Sequence, residues 1–183
     1  MSAARWPLRW HAPALAGLLL CPWLLVASAR CGDGTTATAA VAADHAVDRV
    51  YFGGGYALFK NTGGGNGVVG FVWRQSWHGI HPGISAGFAS HARFVALSGS
   101  YTWTLGSRFA VTLGTGPGIY RREGSAPNLG SPLEFLSTLA ISCRVGHDHR
   151  VALAVGHISN ANLAPYNPGA NLIEILYQVP LRQ

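Results

Sequence analysis

From Asp48 to the C-terminus no stretch of the chain sustains the 3.6-residue apolar period of a helix. Strand-length segments separated by Gly, Asn and Pro clusters stand in its place. The spacing predicts strands at 49–60, 68–77, 83–90, 93–105, 108–120, 133–145, 150–160 and 171–180. That is an even count, and most segments approach the ~9–11 residues a tilted strand needs to cross a bilayer. Parity separates two faces in the later segments. In the fifth, Phe109, Val111, Leu113 and Ile119 share one side, while Ala110, Thr112, Gly114, Gly116 and Gly118 share the other. In the sixth, Leu133, Phe135, Leu139 and Ile141 oppose Glu134, Thr138, Ser142 and Arg144. Large apolar residues on one face and small or polar ones on the other suit a narrow membrane barrel, whose lumen must be filled with small and paired polar side chains. The expected fold is all-β, an eight-stranded antiparallel transmembrane β-barrel over residues 48–183. A soluble sandwich or lipocalin-like barrel also alternates, with its apolar face buried, and alternation does not separate the two.

Upstream of the strands the chain reads as a targeting segment. Arg5 and Arg9 precede an apolar run from Ala14 to Ala29 that ends in Ala27-Ser28-Ala29, the small-x-small pattern of a signal cleavage site. Ala40-Val41-Ala42 offers a later cut. Pro22 and the shortness of the run argue against a retained membrane anchor. Leu20 before Cys21 and Arg30 before Cys31 do not fit a lipoprotein site. Residues 1–29 are thus expected to be a signal peptide and 30–47 a flexible, Ala-rich segment. The signal, the aromatics and the placement of His157 together favour the membrane over the soluble barrel.

Only 11% of residues are charged, and 24 are Gly, a balance that opposes disorder and favours strands. The formal charge of +6 comes from 13 basic residues scattered without a run. This excludes nucleic acid as the expected partner and favours an anionic lipid surface. Of the cysteines, Cys143 lies in an apolar strand as a buried or lipid-facing filler, and a Cys31–Cys143 disulfide is left open. His147-Asp148-His149 carries metal-like residues, but in a tight turn with no further ligand cluster it reads as turn polarity, so no metal is expected.

The chemistry gathers near the C-terminus. His157 and Ser159 are two apart in a strand, on one face and about 6–7 Å apart, within reach for an imidazole to activate a hydroxyl. Val151, Leu153 and Val155 have the same parity, so the pair ends an apolar stripe, a placement that suits a lipid substrate. With both termini starting in the periplasm, Gly106 and Gly146-His147-Asp148-His149 form inner turns, and 121–132 and 161–170 form outer loops. His157 and Ser159 then lie level with the outer leaflet.

The run His157-Ile158-Ser159-Asn160, the turn Asn167-Pro168-Gly169, the segment Asn128-Leu129-Gly130-Ser131 with Phe135, and the closing Tyr177-x-Val179-Pro180 resemble the PagL family of outer-membrane lipid A 3-O-deacylases. The resemblance is firm over residues 128–181 and diffuse upstream. It implies an eight-stranded outer-membrane barrel that hydrolyses the 3-O-acyl ester of lipid A (lipopolysaccharide), without metal or cofactor. It also implies Ser159 as nucleophile, His157 as general base, and Asn160 as an oxyanion support through its side chain or backbone amide. The family pattern has a Glu where this chain has Asn171. Asn171 shares parity with Ile173, Ile175, Tyr177 and Val179 and is expected to project toward His157, accepting its N–H in place of the carboxylate. Glu174 has the opposite parity and is expected in the lumen, in a network with Arg144 or Glu134. Arg121 and Arg122, in an outer loop, would pair with lipid A phosphates or remain solvated loop charge. A homodimer is left open. The alternative is a non-enzymatic outer-membrane barrel that has lost the catalytic acid.

Overall fold

The computed structural model describes residues 47–60 and 62–181. The signal segment, nearly all of the Ala-rich stretch and Cys31 lie outside the described residues. Eight strands follow in order: β1 (Asp48–Phe59), β2 (Gly63–Val72), β3 (His81–Ala89), β4 (Ala92–Leu105), β5 (Phe109–Arg122), β6 (Leu133–Arg144), β7 (Arg150–Ser159) and β8 (Ala170–Leu181). Each pairs antiparallel with the next, and β1 pairs with β8 to close the barrel.

Seven of the eight expected strands agree with these bounds to within two residues. The second does not: it starts at Gly63 rather than residue 68 and ends at Val72. Gly63-Gly64-Gly65 read as a break, yet they pair with Leu58, Ala57 and Tyr56. Aromatic rings lie over Gly63 and other positions of the same strand. A methyl group on Gly63 would overlap the Tyr56 ring, one on Gly67 the Phe88 ring, and one on Gly70 the Tyr51 ring. These glycines are strand positions across which rings of neighbouring strands lie. Residues 73–77, expected as strand, fall instead in the connection 73–80, closed by Trp77 and Ile80, whose N–H groups bond each other's carbonyl at 3.0 and 2.9 Å. His78 and Gly79, both at positive φ, make its two-residue turn.

Parity sorts the side chains as the sequence implied. Phe52, Leu97, Leu113, Leu139, Leu153 and Ile175 are exposed on the outer wall. Ala57, Ala96, Ala110, Ala140, Ala152 and Ala154 are buried inside. A soluble barrel would invert this arrangement, so the lipocalin-like alternative is excluded; an apolar belt of this extent belongs against lipid.

The interior is divided. Toward the end that carries the connections 123–132 and 160–169, hereafter the loop end, Phe94, Tyr120, Leu129 and Ile158 form an apolar cluster. A cavity of about 200 Å³ extends below it. Polar residues are paired in the lower lumen: Arg150 Nη1 donates to Ser142 Oγ at 3.1 Å, and Thr102 and Thr112 hydroxyls lie 2.9 Å apart. Glu174 faces inward as expected, but its partner is the Asn66 amide; Arg144 instead pairs with Asp148 at 3.4 Å. Cys143 is a free thiol. At the other end, His147-Asp148-His149 lies in a turn in which Asp148 O accepts from Arg49 and His149 Nδ1 bonds the Tyr177 hydroxyl at 2.9 Å. Among the described residues no three His, Cys, Asp or Glu side chains gather as a metal site requires.

The closing seam is tight. Gly53 and Gly55 of β1 face Leu176 and Glu174 of β8, and a methyl group on either would overlap the Ile175 or Ile173 carbonyl oxygen. A Gly55→Val variant is therefore expected to force β1 and β8 apart at a cost of about 1–3 kcal/mol. Thermal unfolding in detergent, followed by the folded band on an unheated gel, should show a lower midpoint; an unchanged midpoint would mean that the seam relaxes freely.

Candidate active site

Three polar side chains stand on the outer wall where β7 and β8 approach the loop end, two of them in contact. His157 and Asn171 are opposed in register. His157 Nδ1–H donates to Asn171 Oδ1 at 2.8 Å. A carbonyl oxygen can only accept, so this bond places the ring proton on Nδ1 and leaves the Nε2 lone pair unprotonated, as a general base requires. Ser159 lies two residues further along β7 with the same parity, half-buried, opposite Phe135 of β6. The expected outward projection of His157, Ser159 and Asn171 is thus what the barrel presents.

Gly169 packs over the imidazole. It has φ +64, and a methyl group there would come within 2.9 Å of His157 Cε1 and 3.1 Å of the Ile158 carbonyl. Only a glycine gives both that backbone conformation and that closeness. The Asn-Pro-Gly turn therefore bears directly on the ring.

Asn160 is placed differently from expectation. Its side chain is fully buried on the inner side, not beside Ser159. Asn160 Nδ2 donates to the Leu129 and Tyr166 carbonyls at 3.3 and 2.9 Å, which ties the two long loops together. Its backbone N–H donates to Asn167 Oδ1 at 3.1 Å. Neither donor is left for an oxyanion, so the support expected from Asn160 is corrected to a structural tie that fixes the chain just after Ser159. The parity rule that placed His157 and Ser159 outside carried this information, since Asn160 follows Ile158, which is also buried.

Arg121 and Arg122 are not in a loop. They end β5, because its ladder with β4 continues to Arg93 and Ala92. Arg121 shares the outward parity of Ile119 and stands directly opposite Arg93, also exposed and outward. Arg122 has the parity of the buried Tyr120.

Fold and site together define an eight-stranded barrel of the outer-membrane type bearing a histidine–serine pair on its lipid-facing wall. The model of the PagL family, described as lipid A 3-O-deacylase, matches residues 49–180, and the chain belongs to that family. The lipid A deacylase PagL of Bordetella bronchiseptica is 26% identical over 78 residues, 42% of this chain and 44% of that protein, so the match spans less than half of that relative's length. Among solved structures, the outer membrane enzyme PagL matches with a TM-score of 0.57 at 19% identity, covering 73% of this chain and 99% of that one. Neisserial surface protein A matches with a TM-score of 0.53 at 8% identity, covering 74% and 96%. At such identities both likenesses speak for the fold alone.

Proposed function

We propose that this chain is a serine esterase of the outer membrane that removes the ester-linked 3-O-acyl chain of lipid A. The observation that carries the reading is the His157–Asn171 hydrogen bond beside Ser159 on a lipid-facing strand, in a chain of this family. Ser159 Oγ attacks the ester carbonyl while its proton passes to His157 Nε2. The bond between the carbonyl carbon and the sugar oxygen then breaks, and the imidazolium returns the proton to that oxygen. Water, deprotonated by the same imidazole, attacks the acyl-serine, and the fatty acid leaves as Ser159 regains its proton. These bond changes use only side chains of one hairpin, so the chemistry needs neither a cofactor nor a homodimer. Arg121, with Arg93 across from it, is suited to a lipid A phosphate, whereas Arg122 is turned toward the lumen side of the rim.

The test is expression in a Gram-negative host followed by mass spectrometry of its lipid A. Loss of the mass of one 3-hydroxyacyl chain is expected; unchanged lipid A from cells that contain the folded barrel would sink the reading. The second reading, a barrel without enzymatic activity, is favoured by Asn171 standing where the family pattern has an acid.

A further inference from the structure

The outward row that holds Asn171 and His157 does not stop at β7. In register it continues to Ser137 on β6 and Thr115 on β5. All four residues are exposed, and the Ser137 and Thr115 hydroxyls lie 3.2 Å apart. The next outward row away from the loop end is wholly apolar: Ile173, Val155, Leu139 and Leu113. On the other side Ser159 is followed by Phe135 and Pro117. A hydroxyl pair set between apolar rows on a bilayer-facing wall is costly to leave under-bonded. Each hydroxyl carries one proton and two lone pairs, so their mutual bond leaves one donor and several acceptor positions unused.

We propose that Ser137 and Thr115 form a subsite for the 3-hydroxyl group of a 3-hydroxyacyl ester whose carbonyl lies at Ser159, and so select hydroxylated over plain acyl chains. The inference rests on the reading of Ser159 as nucleophile. Ser137 is one strand across from Ser159 and two residues away from the loop end, a Cα separation of about 8 Å from strand rise and spacing. A carbonyl carbon poised for attack lies about 3 Å from the serine oxygen. The 3-hydroxyl lies three bonds beyond it, and a hydrogen bond of roughly 2.8 Å closes the gap to Ser137. The direction also fits, since the acyl chain must run from Ser159 away from the loop end to enter the bilayer, and the subsite lies on that side.

The experiment compares purified protein in detergent micelles on nitrophenyl esters of dodecanoic acid and of its (R)-3-hydroxy derivative. The intact protein is expected to favour the hydroxylated ester about tenfold in kcat/KM, the worth of one good hydrogen bond. The Ser137→Ala/Thr115→Val double variant should bring the ratio close to one, and Thr115→Ser alone should keep it. A ratio undiminished in the double variant, or a ratio near one in the intact protein, overturns the proposal. Hydrolysis of neither ester would count against Ser159 as nucleophile. The subsite is then read by titrating the micellar protein with the two free acids while following the His157 ring by NMR. Preference for the hydroxy acid that disappears in the double variant upholds the subsite, and equal response to both acids overturns it.

Discussion

Ser159→Ala is expected to remove the proposed deacylation, with a fall of at least about three orders of magnitude, while the barrel folds as before. The expectation follows from how the site is built. Ser159 projects from the wall and no described residue takes its hydroxyl in a hydrogen bond, so its removal disturbs no packing. His157→Ala should fall to a similar floor, because a serine hydroxyl without a base is a poor nucleophile. The decisive measurement is the double variant: groups that act as one unit are non-additive, so Ser159→Ala/His157→Ala should be no slower than either single change. Fatty acid release from lipid A in micelles, with heat-modifiable gel migration as the folding control, gives all three rates. Substantial hydrolysis by Ser159→Ala would assign the nucleophile elsewhere.

Asn171→Glu is expected to raise the rate, on the order of ten- to a hundredfold. An amide can accept the Nδ1 proton, as it does here at 2.8 Å, but adds no charge to stabilise the imidazolium formed during attack. A carboxylate at the same position contributes an attraction of a few kcal/mol before desolvation is subtracted. It also removes an ambiguity of the amide. Turned over, the Asn171 NH2 would donate to Nδ1, leave the ring proton on Nε2 and block the base. A carboxylate has no such second face. Asn171→Leu should lower the rate about a hundredfold, since nothing then fixes tautomer or ring orientation. Activity that appears only in the Asn171→Glu variant would instead favour the barrel that has lost its catalytic acid. Equal rates for the Asn, Glu and Leu forms would mean that His157 is not oriented from β8.

Much of this was legible because an eight-stranded barrel leaves so little room inside. Alternation of Leu139 and Ile141 with Thr138 and Ser142 gives the sidedness of β6 directly, and the same rule places His157, Ser159 and Asn171 outside. The rule also applied to Asn160, where adjacency to Ser159 in a motif outweighed it, and the interior position of that side chain followed parity instead. What could not be read is whatever depends on register. The Gly63-Gly64-Gly65 run becomes strand by pairing with Leu58, Ala57 and Tyr56 of β1, with the Tyr56 ring lying over Gly63. Arg93 stands opposite Arg121, and Ser137 opposite His157, only once the register between neighbouring strands is set. Gly169 announced a turn, but not that the turn rests on the imidazole.

His157, Ser159 and Asn171 all belong to the last hairpin, and they point away from the residues that fill the lumen. Ancestry can therefore rewrite the chemistry of such a wall by a few outward substitutions, adding or erasing a reaction without repacking the inside.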